Sequence, residues 1–220
     1  MATIALGALA QALSGKAGNA VFYRTNDQLR VRDYAIPFDP QTPLQLASRE
    51  RFAQANFVWS SLSPDQADAW RQYALSLGVR QPGSTAVRSP RAQNLFVGLA
   101  AKVLQIDPVA PVPVDPPDAP FFGDALSVSA LGGTEITFEA NAPNGEAALT
   151  ELLIQPLATG ARAPLSKAYR TAAFVRFAPG SLDYALLAPP GWYATAYRFV
   201  SPDTGQQTAL APCGIVRVDT

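Results

Sequence analysis

"DPVAPVPVDPPDAP", residues 107–120, places six prolines in fourteen positions. Proline fixes φ and has no N–H to donate, so this stretch is neither helix interior nor central strand. Its composition favours an extended polyproline II chain acting as a semi-rigid spacer. The other reading of such a run is a ligand for a proline-recognition domain. Upstream of it, apolar residues recur with the helical period; downstream, they fall in short alternating runs. The expected fold is therefore α+β with two domains: residues 1–106 as an apolar arm, a β-hairpin and three helices, residues 107–120 as linker, and residues 121–220 as an antiparallel β-sandwich.

The helices announce themselves by their starts. Thr42 is a good N-cap, Pro43 sits at the first helical position where a missing N–H costs nothing, and Gln45 can reach back to the cap. Ser63-Pro64-Asp65-Gln66 repeats the device, and Ser89-Pro90 repeats its first half. The first helix is expected over 43–59, with Leu46, Ala53 and Phe57 as its apolar face and Leu44, Phe52 and Trp59 widening it. The second, over 64–77, turns Ala67, Trp70, Ala74 and Leu77 inward and stops at Gly78. The third, over 90–104, turns Leu95, Phe96, Leu99 and Val103 inward.

Before the helices, "VFYR" (21–24) and "LRVRDY" (29–34) alternate around the turn residues "TNDQ", which predicts a hairpin. Leu29 and Val31 would face one side, and Arg30 and Arg32 the other. With Arg24 on the paired strand, these form the best candidate basic stripe. Together with Phe22 and Tyr34 they are the candidate assembly interface, able to grip an acidic surface. The bland reading is a solvated edge whose charges guard against aggregation. The upstream "SGKAGN" (14–19) lacks the G-x-x-x-x-G-K-[ST] spacing of a phosphate loop and reads as a tight turn.

Beyond the prolines, seven runs read as strands: "LSVSAL" (126–131), "EITFEA" (135–140), "TELLIQPL" (150–157), "AAFVRFA" (172–178), "DYALLA" (183–188), "WYATAYRFV" (192–200) and "GIVRV" (214–218). "LAPPGWY" (187–193) followed by "ATAYRFV" resembles the E–F corner and F strand of a fibronectin type III or immunoglobulin-like domain. In that resemblance Tyr193 is the corner tyrosine, while the usual core tryptophan of an early strand is missing. Tyr193, Tyr197 and Phe199 share one alternating face, most simply the core; exposed, and with Trp192 beside them, they would make a platform for sugar or protein.

Chemistry is hard to find. The chain has no histidine, so the commonest general base and metal ligand are both missing. Cys213 is the only cysteine, which excludes an intramolecular disulfide and a cysteine-held zinc. No G-x-S-x-G elbow marks a serine nucleophile. Asp65 and Asp68 lie three apart on a helix, Asp65 serving its N-terminus. Glu135 and Glu139 share a strand face, the outer one if Ile136 and Phe138 point inward, where a glycosidase cleft is not expected. The expectation is a protein that is not an enzyme, with no catalytic, cofactor-binding or metal site.

Charge is sparse and balanced, 17 basic against 17 acidic residues, so bulk electrostatic binding to nucleic acid is not expected. Residues 1–106 carry 11 basic and 6 acidic side chains, and residues 107–220 carry 6 and 11. Oppositely charged halves suit head-to-tail packing into rings or filaments. The apolar opening "MATIALGALAQALSGK" lacks a basic n-region and is too short to span a bilayer, so no membrane partner is expected.

The N-terminal half resembles an uncharacterised bacterial family. Its members carry S-G-K-x-G, a strand, an Arg-containing strand, and then N-P-x-T-x-x-Q-x-x-x-R-x-x-F. The matching residues are Ser14-Gly15-Lys16-Ala17-Gly18, Arg30, Asp39-Pro40-Gln41-Thr42-Pro43-Leu44-Gln45, Arg49, Phe52 and Trp70, with Asp39 in place of Asn. The resemblance implies an association with phages or prophages and an immunoglobulin-like C-terminal half, but no activity. The expected function is a structural protein of a phage particle or related assembly, made in the bacterial cytoplasm, with other copies of itself and other virion proteins as partners. The alternative is a surface-exposed binding module for a glycan or host protein.

Overall fold

The computed structural model describes residues 2–4, 14–25, 28–36, 38–80 and 87–219. The chain divides into two compact units, residues 1–45 and 46–220. In the first, β1 (Ala2–Ile4), β2 (Gly15–Ala17), β3 (Ala20–Thr25) and β4 (Gln28–Asp33) form one antiparallel sheet in the order β1-β4-β3-β2. The expected hairpin is β3–β4, and Leu29 is its buried residue. Residues 5–13 of the expected apolar arm and the tip of the hairpin lie outside the described residues.

Three helices follow: α1 (Pro43–Ser61), α2 (Pro64–Ser76) and α3 (Ala92–Ile106), with a short antiparallel pair, β5 (Val79–Arg80) and β6 (Val87–Arg88), between the last two. Both expected capping boxes are closed. The Thr42 N–H donates to Gln45 Oε1 at 3.1 Å and the Gln45 N–H to Thr42 Oγ1 at 3.4 Å. The Ser63 N–H donates to Gln66 Oε1 at 3.0 Å and the Gln66 N–H to Ser63 Oγ at 3.2 Å. α3 begins at Ala92 with Arg91 at its N-cap and no side-chain cap bond, two residues later than the Ser-Pro pair suggested.

α1 corrects the sequence reading. Its expected apolar face is turned outward: Phe57 is 75 % exposed, Phe52 60 % and Leu46 47 %, and Ala53 and Leu44 are exposed too. The inward side carries Ala55, fully buried, with Val58 and Trp59, and Leu62 just past the helix end, against Trp70, Phe96 and Ala100. At about 100° per residue, Ala53 and Ala55 point to opposite sides of a helix. Apolar residues stand on both sides of α1, so periodicity could not choose between them. The small Ala55 decides, because a methyl group leaves room for the rings of Trp70 and Phe96, which meet edge to face at 5.1 Å.

Seven further strands complete the chain: β7 (Val128–Leu131), β8 (Ile136–Ala140), β9 (Leu149–Leu157), β10 (Arg170–Val175), β11 (Asp183–Leu186), β12 (Gly191–Val200) and β13 (Ala211–Val218). They form two antiparallel sheets, β11-β8-β7 and β10-β9-β12-β13. Ile136 and Phe138 of the first sheet share one core with Leu152, Tyr193, Phe199 and Val216 of the second. The Tyr193 hydroxyl donates to the Pro189 carbonyl at 2.8 Å.

The other face of the four-stranded sheet is also covered. Glu151, Leu153, Gln155, Ala194, Ala196 and Val200 point away from the shared core and are all buried. This explains why "TELLIQPL" and "WYATAYRFV" read as near-continuous apolar runs: a strand buried on both faces needs no polar alternate. α3 meets this outer face through Lys102 and Gln105. Residues 46–220, which hold all but the first turn of α1, with α2, α3 and both sheets, form one compact unit that includes the proline-rich residues 107–120.

The loop after β12 also meets α3, at Gly205. With φ at +71°, its missing Cβ would stand 2.2 Å from the Leu99 carbonyl oxygen. Gly205→Ala should therefore destabilise the protein by about 2–4 kcal/mol, from left-handed strain and overpacking together. Ser63→Ala, which only opens a cap, should cost about 1 kcal/mol. Urea unfolding of the two variants measures both; equal midpoints would refute the close approach at Leu99.

Candidate functional site

The most unusual chemistry in the chain lies where α3 meets the outer sheet face. Glu151 of β9 is completely buried. Lys102 Nζ donates to both of its carboxylate oxygens, at 3.1 and 3.2 Å. Arg198 Nε, from the neighbouring β12, donates at 2.7 Å, and Thr171 Oγ1 from β10 donates to Oε1. Gln105, one turn beyond Lys102, accepts from Lys102 at 2.8 Å and donates to Thr171 at 3.1 Å. A register shift between Thr171 and Ala173 keeps Thr171 and Phe174 on this same face, and the Lys102 ammonium lies 5.4 Å from the Phe174 ring centre.

Two cations thus share one carboxylate in a buried setting. Burial pushes the Glu151 carboxyl up, but hydrogen bonds from Arg198 and Thr171 and the charges of Lys102 and Arg198 outweigh it and hold the group below the usual carboxylate range. Burial lowers the Lys102 ammonium; Glu151 opposes this, while Arg198 and Arg51 of α1 reinforce it. The cluster ties α3 to three strands of the sheet.

A cavity of about 570 Å³ lies between α2, α3, residues 117–121 and the loop after β12. Leu77, Leu95 and Leu99 line it with apolar surface, and Tyr73, Ser76, Asp118, Gln206 and Gln207 supply its polar side chains. Its size is that of a small-molecule or peptide site. A second hollow, about 450 Å³, lies between Val103, Pro202 and residues 110–115.

The residues singled out in the sequence are spread more widely. Tyr23 pairs with Arg30 and Arg24 pairs with Leu29, so Arg24 shares a face with Leu29 and not with Arg30 and Arg32. The register divides the expected basic stripe into two faces. Phe22 stands opposite Val31 on the Arg24 face and is half-buried. Tyr34 is partly exposed, with the Lys16 ammonium 3.5 Å from its ring centre. Asp65 and Asp68 are exposed, and Asp68 pairs with Arg71. Glu139 is exposed on the outer face of its sheet, and Ile136 and Phe138 point into the core. Tyr193 and Phe199 are buried in the core, with Tyr197 packed against it. Cys213 is half-buried, its thiol pushed up to about 12 by burial. Among the described residues no three His, Cys, Asp or Glu side chains cluster as metal ligands, and no helix is long and apolar enough to cross a membrane.

Sequence reading passed over the buried cluster, although a signal was present. Lys102, Glu151 and Arg198 each stand as a single charge inside an apolar run, and the signs are complementary. No family model, curated protein or solved structure matches this chain.

The cluster makes an asymmetric prediction. Glu151→Gln strands the buried Lys102 ammonium and the partly buried Arg198 guanidinium and should cost about 3–5 kcal/mol. Lys102→Met leaves a neutral Arg198–Glu151 pair and should cost clearly less. Because the Glu151 pKa is depressed in the folded state, its contribution is present above the unfolded-state pKa and is lost as pH falls through the folded one. Urea midpoints between pH 7 and pH 3 should fall steeply for the wild type and less steeply for Glu151→Gln. Parallel pH profiles would show that Glu151 is not held by these cations.

Proposed function

We propose that the protein is a non-enzymatic structural component of a phage particle or related assembly, built on a fibronectin type III-like sandwich. The strand order supports the fold reading: β7-β8-β11 and β10-β9-β12-β13 correspond to the A-B-E and C′-C-F-G sheets of that architecture. The Tyr193 hydroxyl bonded to the carbonyl four residues upstream corresponds to a tyrosine corner. The N-terminal sequence resemblance supports the phage setting.

One observation carries the assembly reading. Among the described residues, Tyr34, Ile36, Phe38 and Leu44 of the first unit are exposed large hydrophobics, and on the second unit α1 exposes Leu46, Phe52 and Phe57. Phe38 is 88 % exposed. Exposed apolar side chains in such number suit a surface where another protein binds. The buried cluster and the tight Cys213 offer no competing chemistry. The glycan-platform alternative loses its basis, since Tyr193 and Phe199 face the shared core.

Sedimentation of the purified chain at low salt tests this. Self-association is expected, weakened by Phe57→Ser with Phe52→Ser and, to a smaller extent, by deletion of residues 1–34. A monodisperse monomer at high concentration, unchanged by these variants, would overturn the assembly reading. Electron microscopy of particles from the native source, with the chain located by antibody, tests the virion setting.

A further inference from the structure

The proline-rich stretch is not a free spacer. Trp70, only 1 % exposed, donates its indole N–H to the Val114 carbonyl at 2.8 Å. Val112 packs on the cluster of Trp70 and Phe96. The Gln206 amide donates to the Ala119 carbonyl and to the Tyr73 hydroxyl, both at 3.2 Å, and Tyr73 stands edge-on to Trp70. Two side-chain donors thus take two carbonyls five positions apart in a chain whose prolines leave carbonyls without ladder partners. Aromatic surfaces with a tryptophan N–H bind polyproline segments in this way, exploiting a chain that is already extended and loses little entropy on docking.

We propose that the groove of Trp70, Tyr73 and Gln206 is a receptor for extended proline-rich chain, that residues 110–120 occupy it within one molecule, and that a second copy supplies the same segment when copies associate. The last part rests on the assembly reading above.

Three observations support exchange over permanent burial. Among the described residues, none from 111 to 120 makes a backbone–backbone hydrogen bond. The segment bridges two hollows, of about 570 and 450 Å³, and so is not wedged in place. It connects the helices to the sheets, and the side chains that flank it stand in solvent: Val109 is 89 % and Phe122 87 % exposed. A connection of this kind is where identical elements trade places between protomers. The intramolecular segment competes at an effective concentration in the millimolar range, so exchange is favoured where copies are crowded together.

The probe is a synthetic peptide of residues 108–120. A chain whose residues 110–120 are replaced by Gly and Ser of equal length has an empty groove. The peptide should bind it saturably, shifting the Trp70 indole N–H resonance, and about tenfold or more weaker when Trp70→Phe removes the donor. Mixing the replaced chain with a Trp70→Phe chain, one contributing a groove and the other a segment, should give a heterodimer that neither forms alone. A folded replaced chain that ignores the peptide, or binds it equally with Trp70→Phe, overturns the receptor. Should replacement prevent folding, millimolar peptide must still shift the Trp70 indole resonance of the wild type, and its failure to do so is equally decisive. If the peptide binds but wild-type self-association survives replacement of the segment, exchange between copies is overturned while the assembly reading stands. A wild type that never associates sinks that reading, and the peptide alone then decides the groove.

Discussion

Glu151 is one carboxylate answering three donors from three different elements: Lys102 on α3, Arg198 on β12 and Thr171 on β10. A charge completely out of water is tolerable only when its hydrogen-bonding capacity is met. The donors can meet it at one placement of α3 on the sheet and no other. Apolar contact would let the helix slide or rotate at modest cost; a buried ion with fixed partners does not. The cluster's excess positive charge makes the carboxylate the member that cannot be spared.

From that placement the rest of the larger unit follows. α3 is central, its Phe96, Val97 and Ala100 facing the other helices while Lys102 reaches the sheet. Gly205 lets the loop after β12 close on the helix backbone at Leu99, and Gln206 beside it holds Tyr73 and Ala119. The four-stranded sheet thus becomes a middle layer, with the aromatic core on one side and the ionic contact on the other.

What could be read beforehand divides along physical lines. Capping boxes, the hairpin and the strands were legible because each depends on neighbours in sequence. The inward side of α1 was not, because Leu46, Ala53 and Phe57 make as good a stripe as Ala55, Val58 and Trp59, and only the tertiary partners choose. The opposed faces of Arg24 and Arg30 follow from a pairing register that residue types alone leave open. The proline-rich segment was legible as extended chain, but its role depends on carbonyl acceptors, which every residue has and no sequence pattern marks. The lone charges in apolar runs were the one visible trace of the candidate site.

A sheet enclosed on both sides also governs how the sequence can change over time. Ala194 and Ala196 are fully buried between one layer and the next, so a larger side chain at either has nowhere to expand. Drift at such positions requires matching changes in a second layer, and these positions should diverge slowly and in correlated pairs. The outward side of α1 carries no such obligation to its own fold, so its residues can change without matching changes in a second layer.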